Sequence, residues 1–328
     1  MTLARHRKNL NKVNHYRGPI NRIFFTVIFF VLALYAISLI TLLVWAFFSS
    51  LRYVDNYYEN PFSLPELKGI FDNYIAIFRK FKISSIDHPV IYYNYVTGED
   101  VFVEYECGFF DMLINSLIYA GVGALIQAIV PAVVAYLLCK YKFKFSKFLY
   151  GVALLTYIIP IVGNYPSVIE TLKRIGLFNS FLGNFIQKFN FSGMYFFIFF
   201  AFFEGVSDSY IEAAELDGAN QLQILTRVIL PQAKTLIFTV VVIVFVQLWN
   251  DYQTPLLYLP SHPTIAYGVH EMLNTKDVYE AASGHNIMLR EITPRLASCM
   301  ALAVPTLLMF IFLKEKLMSN LSMGGLKE

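Results

Sequence analysis

Charge is scarce in this sequence. Only 15% of its 328 residues are Asp, Glu, Lys or Arg, whereas 57% are hydrophobic. Soluble domains carry about 25% charged residues, so an ordinary aqueous globule is excluded. The formal net charge of +3 is too small and too scattered to make a nucleic-acid surface. Cysteine is nearly absent as well. Cys107, Cys139 and Cys299 fall in three separate segments, which leaves neither a disulfide framework nor a metal-binding spacing. No Gly-x-x-x-x-Gly-Lys-Ser/Thr loop occurs, so the chain has no P-loop with which to hold ATP.

Long apolar runs are what the sequence has instead. Ile23–Phe48 (26 residues), Met112–Cys139 (28) and Phe148–Ile169 (22) carry no charge, and about 20 apolar helical residues cross a bilayer core. The first run is too long for the apolar part of a signal peptide. Three shorter runs follow: Phe189–Phe203 between Lys188 and Glu204, Thr235–Asn250 between Lys234 and Asp251, and Leu296–Leu313 between Arg295 and Lys314. Snorkelling flanks, and packing of short helices inside a bundle, make these spans too. The expected fold is an all-α integral membrane protein with six transmembrane helices. No Asp, Glu, Lys, Arg or His lies near the middle of any run. That argues against ion coupling through a charged relay and against an intramembrane enzyme.

Orientation follows from the basic residues. Residues 1–22 hold six (Arg5, Arg7, Lys8, Lys12, Arg17, Arg22) and no acid, and Lys140, Lys142, Lys144 and Lys147 follow the second run without an acid between them. The segment 51–111 instead has ten acids against five bases. Both termini and the 140–147 and 207–234 loops are therefore expected in the cytoplasm, with 51–111, 167–190 and 251–294 outside. The chain divides into a basic N-terminus (1–22), a first transmembrane helix (23–50), an extracytoplasmic loop domain (51–111), a five-helix core (112–313) and a cytoplasmic tail (314–328). The outer domain holds fifteen Tyr and Phe between residues 51 and 110, too many for a disordered linker. Val90 to Val96, a turn at Thr97-Gly98-Glu99-Asp100, and Val101 to Glu106 read as a β-hairpin. It serves either as a cap on the helix ends alone or also as a docking surface for an outer partner.

The 207–234 loop breaks the charge rule, with four acids (Asp208, Glu212, Glu215, Asp217) against two bases. Glu212 to Leu216 are helix formers, Asp217-Gly218 is a turn pair, and Ala219 to Leu230 place Leu222, Leu225 and Ile229 on one face, with Ile224 and Val228 beside them. Pro231 is expected to stop this second helix. A short amphipathic hairpin rimmed with acids suits docking into a cleft of a soluble partner. The plain alternative, a helix lying on the membrane surface, is usually rich in Lys and Arg, and this one is not.

The hairpin resembles the EAA motif of bacterial ABC importer permeases: Glu-Ala-Ala, three residues, Gly, nine residues, Ile, one residue, Leu-Pro. Glu212, Ala213, Ala214, Gly218, Leu230 and Pro231 match, and Val228 replaces the Ile. Asn115-Ser116, Ala135-Tyr136, Tyr141 to Lys144, Gly176 to Asn179, Trp249-Asn250-Asp251 and the tail Leu321 to Lys327 resemble carbohydrate-importer permeases. Over residues 20–50 and 110–328 the likeness is to the smaller permease subunit of maltose-type importers; the 51–111 segment is longer than expected for that subunit.

The resemblance implies a transport subunit, not an enzyme, in the bacterial cytoplasmic membrane. It implies a second homologous permease, an ATPase dimer that carries ATP and Mg²⁺ on its own chains, and an extracytoplasmic sugar-binding protein, with no cofactor in this chain and no nucleic acid. It makes Glu212–Pro231 the coupling helix hairpin, with Glu212 and Asp217 as acids beside the ATPase and Gly218 at the turn. Sugars need hydrogen-bonding groups and aromatic faces, so Asn115, Gln127, Asn164, Tyr165, Gln247 and Asn250 are pathway candidates, each with interhelical hydrogen bonding as the alternative role. Pro131, Pro160 and Pro305 are expected kinks, and Trp249 an interfacial anchor. Rival readings are a permease for another polar solute such as glycerol phosphate, which would want Lys or Arg facing the cavity, an outer-surface enzyme using Asp87, Glu99, Glu104 or Asp251, and a sensor subunit.

Overall fold

The computed structural model describes residues 19–66, 69–86, 88–141, 143–159, 163–274 and 291–322, with side chains between 21 and 313. The basic residues up to Arg17, Asp87, Lys142, Pro160 and tail residues 323–327 lie outside this set. The chain forms two units, one up to Asn73 and one from Tyr74. In the first, α1 (Pro19–Ser50) is a helix of 32 residues, apolar around its circumference as a helix in lipid is. Its terminal carbonyls need partners. Asn73 Nδ2 supplies them, donating to the Ser50 and Arg52 carbonyls at 2.9 and 2.8 Å, and Trp45 Nε1 donates to the Pro61 carbonyl. A short helix, α2 (Val54–Glu59), follows.

Helix α3 (Asp72–Lys80) leads into four short strands. β1 (Lys82–Ser84) pairs antiparallel with β4 (Glu106–Gly108), and β2 (Val90–Asn94) with β3 (Glu99–Val103), in the register Val90 to Val103 and Asn94 to Glu99. The expected hairpin is there, but its turn falls at residues 95–98, two residues early. Asn94 is the reason. Its Oδ1 accepts from the Val96 and Thr97 N–H groups, an Asx turn that starts the reversal, and Gly98 closes it at φ +76°. The hairpin packs on the segment after α6 (Tyr165–Arg174): Tyr92 meets Phe178 edge to face at 4.9 Å, and the Arg174 guanidinium lies over the Tyr95 ring.

The remaining helices are α4 (Phe109–Lys140), α5 (Ser146–Ile158), α7 (Phe181–Gln187), α8 (Met194–Glu204), α9 (Ser209–Leu216), α10 (Gln221–Trp249), α11 (Gln253–Tyr258), α12 (Ile265–Asn274) and α13 (Ile292–Ser322). By length and apolarity α1, α4, α10 and α13 are able to cross a membrane, and α8 with α9 would make a fifth crossing bent by 71°. The third expected run, Phe148–Ile169, is not one helix. α5 ends at Ile158 because Ile159 is extended (φ −83°, ψ 111°), the conformation that a following proline enforces, and the chain turns at Gly163 (φ +79°) before α6 begins. α6 carries Glu170, Lys173 and Arg174 and is no continuation of a span.

Helix α4 organises the second unit. Met112, Ser116, Ala120, Ala124, Ala128 and Ala132, spaced by four and therefore along one inclined ridge of the helix, are all buried to 1% exposure or less. Small residues let neighbouring helices approach closely, and van der Waals packing rather than water exclusion holds helices together in lipid. α4 packs chiefly on α10 and α8. These bring Ala233, Val240, Val244, Phe196, Phe199 and Phe203 into the same buried cluster, so large side chains meet a flat small-residue face. An Ala124→Leu substitution overfills that face and should cost about 1–3 kcal/mol; a melting midpoint in detergent equal to that of the parent protein would contradict this packing.

Candidate functional site

The matched motif forms two helices joined at a glycine turn, and the turn has a local cause. α9 ends in a Schellman arrangement. The Ala219 N–H donates to the Ala214 carbonyl at 2.9 Å and the Gly218 N–H to the Glu215 carbonyl at 3.0 Å, with Gly218 at φ +78°. No heavy atom lies within 4 Å of where a Gly218 Cβ would stand. The glycine is therefore required by backbone conformation and not by space. Asn220 then caps α10: its side chain accepts from the Gln223 N–H and the Gln223 side chain accepts from the Asn220 N–H, both at 2.9 Å, a reciprocal capping box.

Two expectations for the second arm fail here. Pro231 does not stop it. The arm runs into the fifth expected span as one helix of 29 residues, Gln221–Trp249, and Pro231 sits in the first turn of its α-helical part, after a π-helical stretch at Ile224–Ile229. In that stretch the Leu230 N–H reaches back five residues to the Leu225 carbonyl, so the proline falls where the hydrogen-bond ladder changes step and its missing N–H interrupts little. The wider turn also changes the inward face. Ile224 and Ile229, five apart, are fully buried, whereas Leu222 is 69% exposed. Leu216, at the end of α9, is 89% exposed. Glu212, Ala213, Asp217, Gly218 and Pro231 are exposed, and Ala214 and Leu230 half-buried.

Two of the four acids that break the charge rule, Asp208 and Glu215, have partners nearby. Lys140, the last residue of α4, bonds the Asp208 carboxylate at 2.7 Å and the Val206 carbonyl. Tyr141 donates to the Gln221 side chain, which in turn donates to Glu215. The basic end of α4 thus holds both arms of the hairpin.

The second feature is a cavity of about 340 Å³ between α4, α6, α8 and α11. Among the candidate pathway residues, Gln127, Asn164 and Tyr165 line it, and Gln247 accepts a hydrogen bond from Tyr195, another lining residue, at 3.3 Å. The other two hold backbone instead: Asn115 donates to the Pro263 carbonyl and Asn250 to the Val246 carbonyl of its own helix. Trp249 is buried and not interfacial; its Nε1 donates to the Leu302 carbonyl of α13 at 3.1 Å.

Sequence reasoning missed Lys188. It was expected to flank the fourth span, yet α7 turns the chain inward and leaves Lys188 8% exposed on the cavity wall. Its Nζ donates to the Tyr119 hydroxyl at 3.3 Å, and Tyr119 donates to Asp251 at 2.6 Å. Burial pushes the ammonium down to about 8, with the Asp251 carboxylate opposing the shift. The clue in the sequence is the polar company of Asn184, Gln187 and Asn190 around it. Among the described residues, no group of three or more His, Cys, Asp and Glu gathers to hold a metal.

Helices of this length and apolarity mark a multi-pass membrane protein. Residues 128–314 match the family described as binding-protein-dependent transport system inner membrane component, and the chain belongs to that family. It is 28% identical to the sn-glycerol-3-phosphate transport system permease protein UgpE of Yersinia pestis bv. Antiqua (strain Antiqua), over 166 residues that are 50% of this chain and 59% of the relative. It is 24% identical to the melibiose/raffinose/stachyose import permease protein MelC of Bacillus subtilis (strain 168), over 65% of this chain and 75% of the relative. The chain spans about three-fifths of the length of the glycerol-phosphate permeases it matches. A crystal structure of a bacterial ABC transporter involved in the import of the acidic polysaccharide alginate contains a chain of the same fold, with TM-score 0.69 and 20% identity over 91% of this chain and 98% of that one.

The clamp on the hairpin is testable. Lys140→Met removes its bonds to Asp208 and Val206. Because Asp208 is largely exposed, the loss should be about 1 kcal/mol, read as a several-fold rise in amide exchange over residues 207–221 with α4 still protected. Unchanged exchange would show that Lys140 does not hold the loop.

Proposed function

We propose that the chain is the transmembrane permease subunit of an ATP-driven ABC importer that moves a carbohydrate by alternating access. Six spans are read as α1, α4, α5, α8, α10 and α13. Both termini, the 140–147 link and the hairpin lie in the cytoplasm, and the 51–111 insertion, the 167–190 segment and the 251–294 segment lie outside. The divisions at 22, 50, 111 and 313 follow from that topology. A second permease, an ATPase dimer with its ATP and Mg²⁺, and an extracytoplasmic sugar-binding protein complete the assembly.

One observation supports this reading above the others. Glu212, Ala213, Asp217, Gly218 and Pro231 stand outward on a hairpin that also exposes two leucines, Leu216 and Leu222, while the arm behind them is continuous with a core helix. Those two side chains, beside the exposed acids Glu212 and Asp217, are the surface that we assign to the ATPase. In the cycle we infer, closure of the ATPase dimer moves the hairpin, and α10 carries the movement to Gln247 and the cavity. Glu212 and Asp217 offer charge-assisted contacts to the ATPase. The hairpin must bind its partner differently in the two states, or it couples nothing. Gln127, Asn164, Tyr165 and Gln247 lie on the solute path, and Asn115 and Asn250 keep the helix ends in place beside it.

A pull-down of the tagged chain from its native membrane in mild detergent should recover a P-loop ATPase, a second permease and a binding protein. Recovery of the chain alone, under conditions that preserve a known importer, would overturn the reading. Gly218 sharpens the test. A β-branched residue in its left-handed conformation is strained by more than about 1 kcal/mol, so Gly218→Val should stay in the membrane yet separate ATP hydrolysis from uptake. Gly218→Asn, which tolerates that conformation, should behave as the parent. Normal uptake by Gly218→Val would remove the hairpin from the coupling route.

A further inference from the structure

Among the described residues that line the cavity, Lys188 is the only charged one, and no Asp or Glu shares the wall. The neighbours are neutral hydrogen-bonding groups: Gln127, Asn164, Tyr165, Tyr195 and Thr254. A lysine of 8% exposure is unusual unless something compensates its charge. Asp251 does so only at second hand. The phenol of Tyr119 stands between them and spends its own proton on Asp251 at 2.6 Å, so the ammonium meets the Tyr119 oxygen at 3.3 Å and the face of its ring at 4.6 Å from the centroid. An ammonium has three protons to donate, and among the described residues no carboxylate oxygen comes within 4.0 Å of it.

The stem is placed deliberately as well. It crosses α4 at Gly123, where a Cβ would stand 3.2 Å from Lys188 Cδ and 2.7 Å from Leu248 Cδ1. Lys188 is one of the residues lining a cavity of about 340 Å³, within the size range of small-molecule sites, and its stem fills the gap that Gly123 leaves in the small-residue surface that packs the helices.

We propose that this cavity receives an anionic group of the transported solute, a carboxylate or a phosphate ester on a carbohydrate, with Lys188 as its counter-charge. The inference rests on the transport reading above and names the chemical class of its solute. The neutral groups on the wall take hydroxyls, while the ammonium exchanges its distant carboxylate for a direct charge-assisted partner. Lys188 lies just outside the charge-free run Phe189–Phe203, so the absence of charge within the runs does not exclude it.

The test uses the complete complex in proteoliposomes, with ATP-driven uptake of three probes: maltotriose, trigalacturonate and glycerol 3-phosphate. Uptake of trigalacturonate assigns the site to a carboxylate, and uptake of glycerol 3-phosphate to a phosphate ester. In either case Lys188→Met and Lys188→Gln should lower uptake of the charged probe by about tenfold or more, the loss of a hydrogen bond to a charged group. Lys188→Arg should retain most of it, and any maltotriose uptake should fall by less than that of the charged probe. ATP-driven uptake of maltotriose alone would overturn the anion site and leave the transport reading standing. Equal losses for charged and neutral probes, with Lys188→Arg failing too, would assign Lys188 to the structure and overturn its role toward the solute. No ATP-driven uptake of any probe, together with no ATPase bound to the chain, would overturn both.

Discussion

Close approach to one face of α4 is the constraint on which the second unit depends. In lipid the apolar helices gain little by hiding from their surroundings, so contact has to come from shape. A face of alanine, glycine and serine supplies it, and the phenylalanines of α8 and the valines of α10 fill the space it leaves. The same flatness at Gly123 lets the Lys188 stem pass beneath Leu248. One feature of the sequence thereby positions both the helix that leads to the hairpin and the cation on the cavity wall.

The two candidate sites sit at opposite ends of α10. Its 29 residues correspond to about 43 Å at 1.5 Å per residue. At one end are the capping box of Asn220 and the glycine turn; at the other, Gln247 reaches Tyr195, and Asp251, just beyond the helix, accepts from Tyr119. A π-helical stretch interrupts this rod at Ile224–Ile229. Such stretches concentrate at functional positions, and this one lies between the glycine turn and the part of α10 that packs on α4.

Much of this was legible in the sequence, for physical reasons that also explain what was not. Charge-free runs of more than 20 residues announce helices, and a glycine six residues after a glutamate in Glu-Ala-Ala announces the hairpin. The packing face of α4 was not legible as a hydrophobic stripe, because every face of that helix is apolar and only side-chain size distinguishes one from another. The end of α5 was concealed by the apolar residues beyond it, although Pro160 marked the place. Pro231 misled in the opposite sense: a proline ends a helix when it stands inside one, and here it stands in the first turn of the next stretch. Leu222 was misplaced because α-helical spacing was assumed where the backbone takes a wider turn. Lys188 looked like the flank of a span because a linear reading cannot show the chain folding back through α7 to bring that flank inside. Asn94 starts the hairpin turn and Gly98 closes it, so the reversal lies two residues before the tetrapeptide that the glycine marks in the sequence.

The most direct measurement places a photo-crosslinking amino acid at position 222, irradiates native membranes, and identifies what is captured. If the hairpin is the coupling element, Leu222 faces a cleft of a P-loop ATPase, and that protein is the product, lost when Gly218 becomes valine. Capture of lipid alone, from a complex that still hydrolyses ATP, would show a helix lying on the membrane surface and would contradict the coupling role.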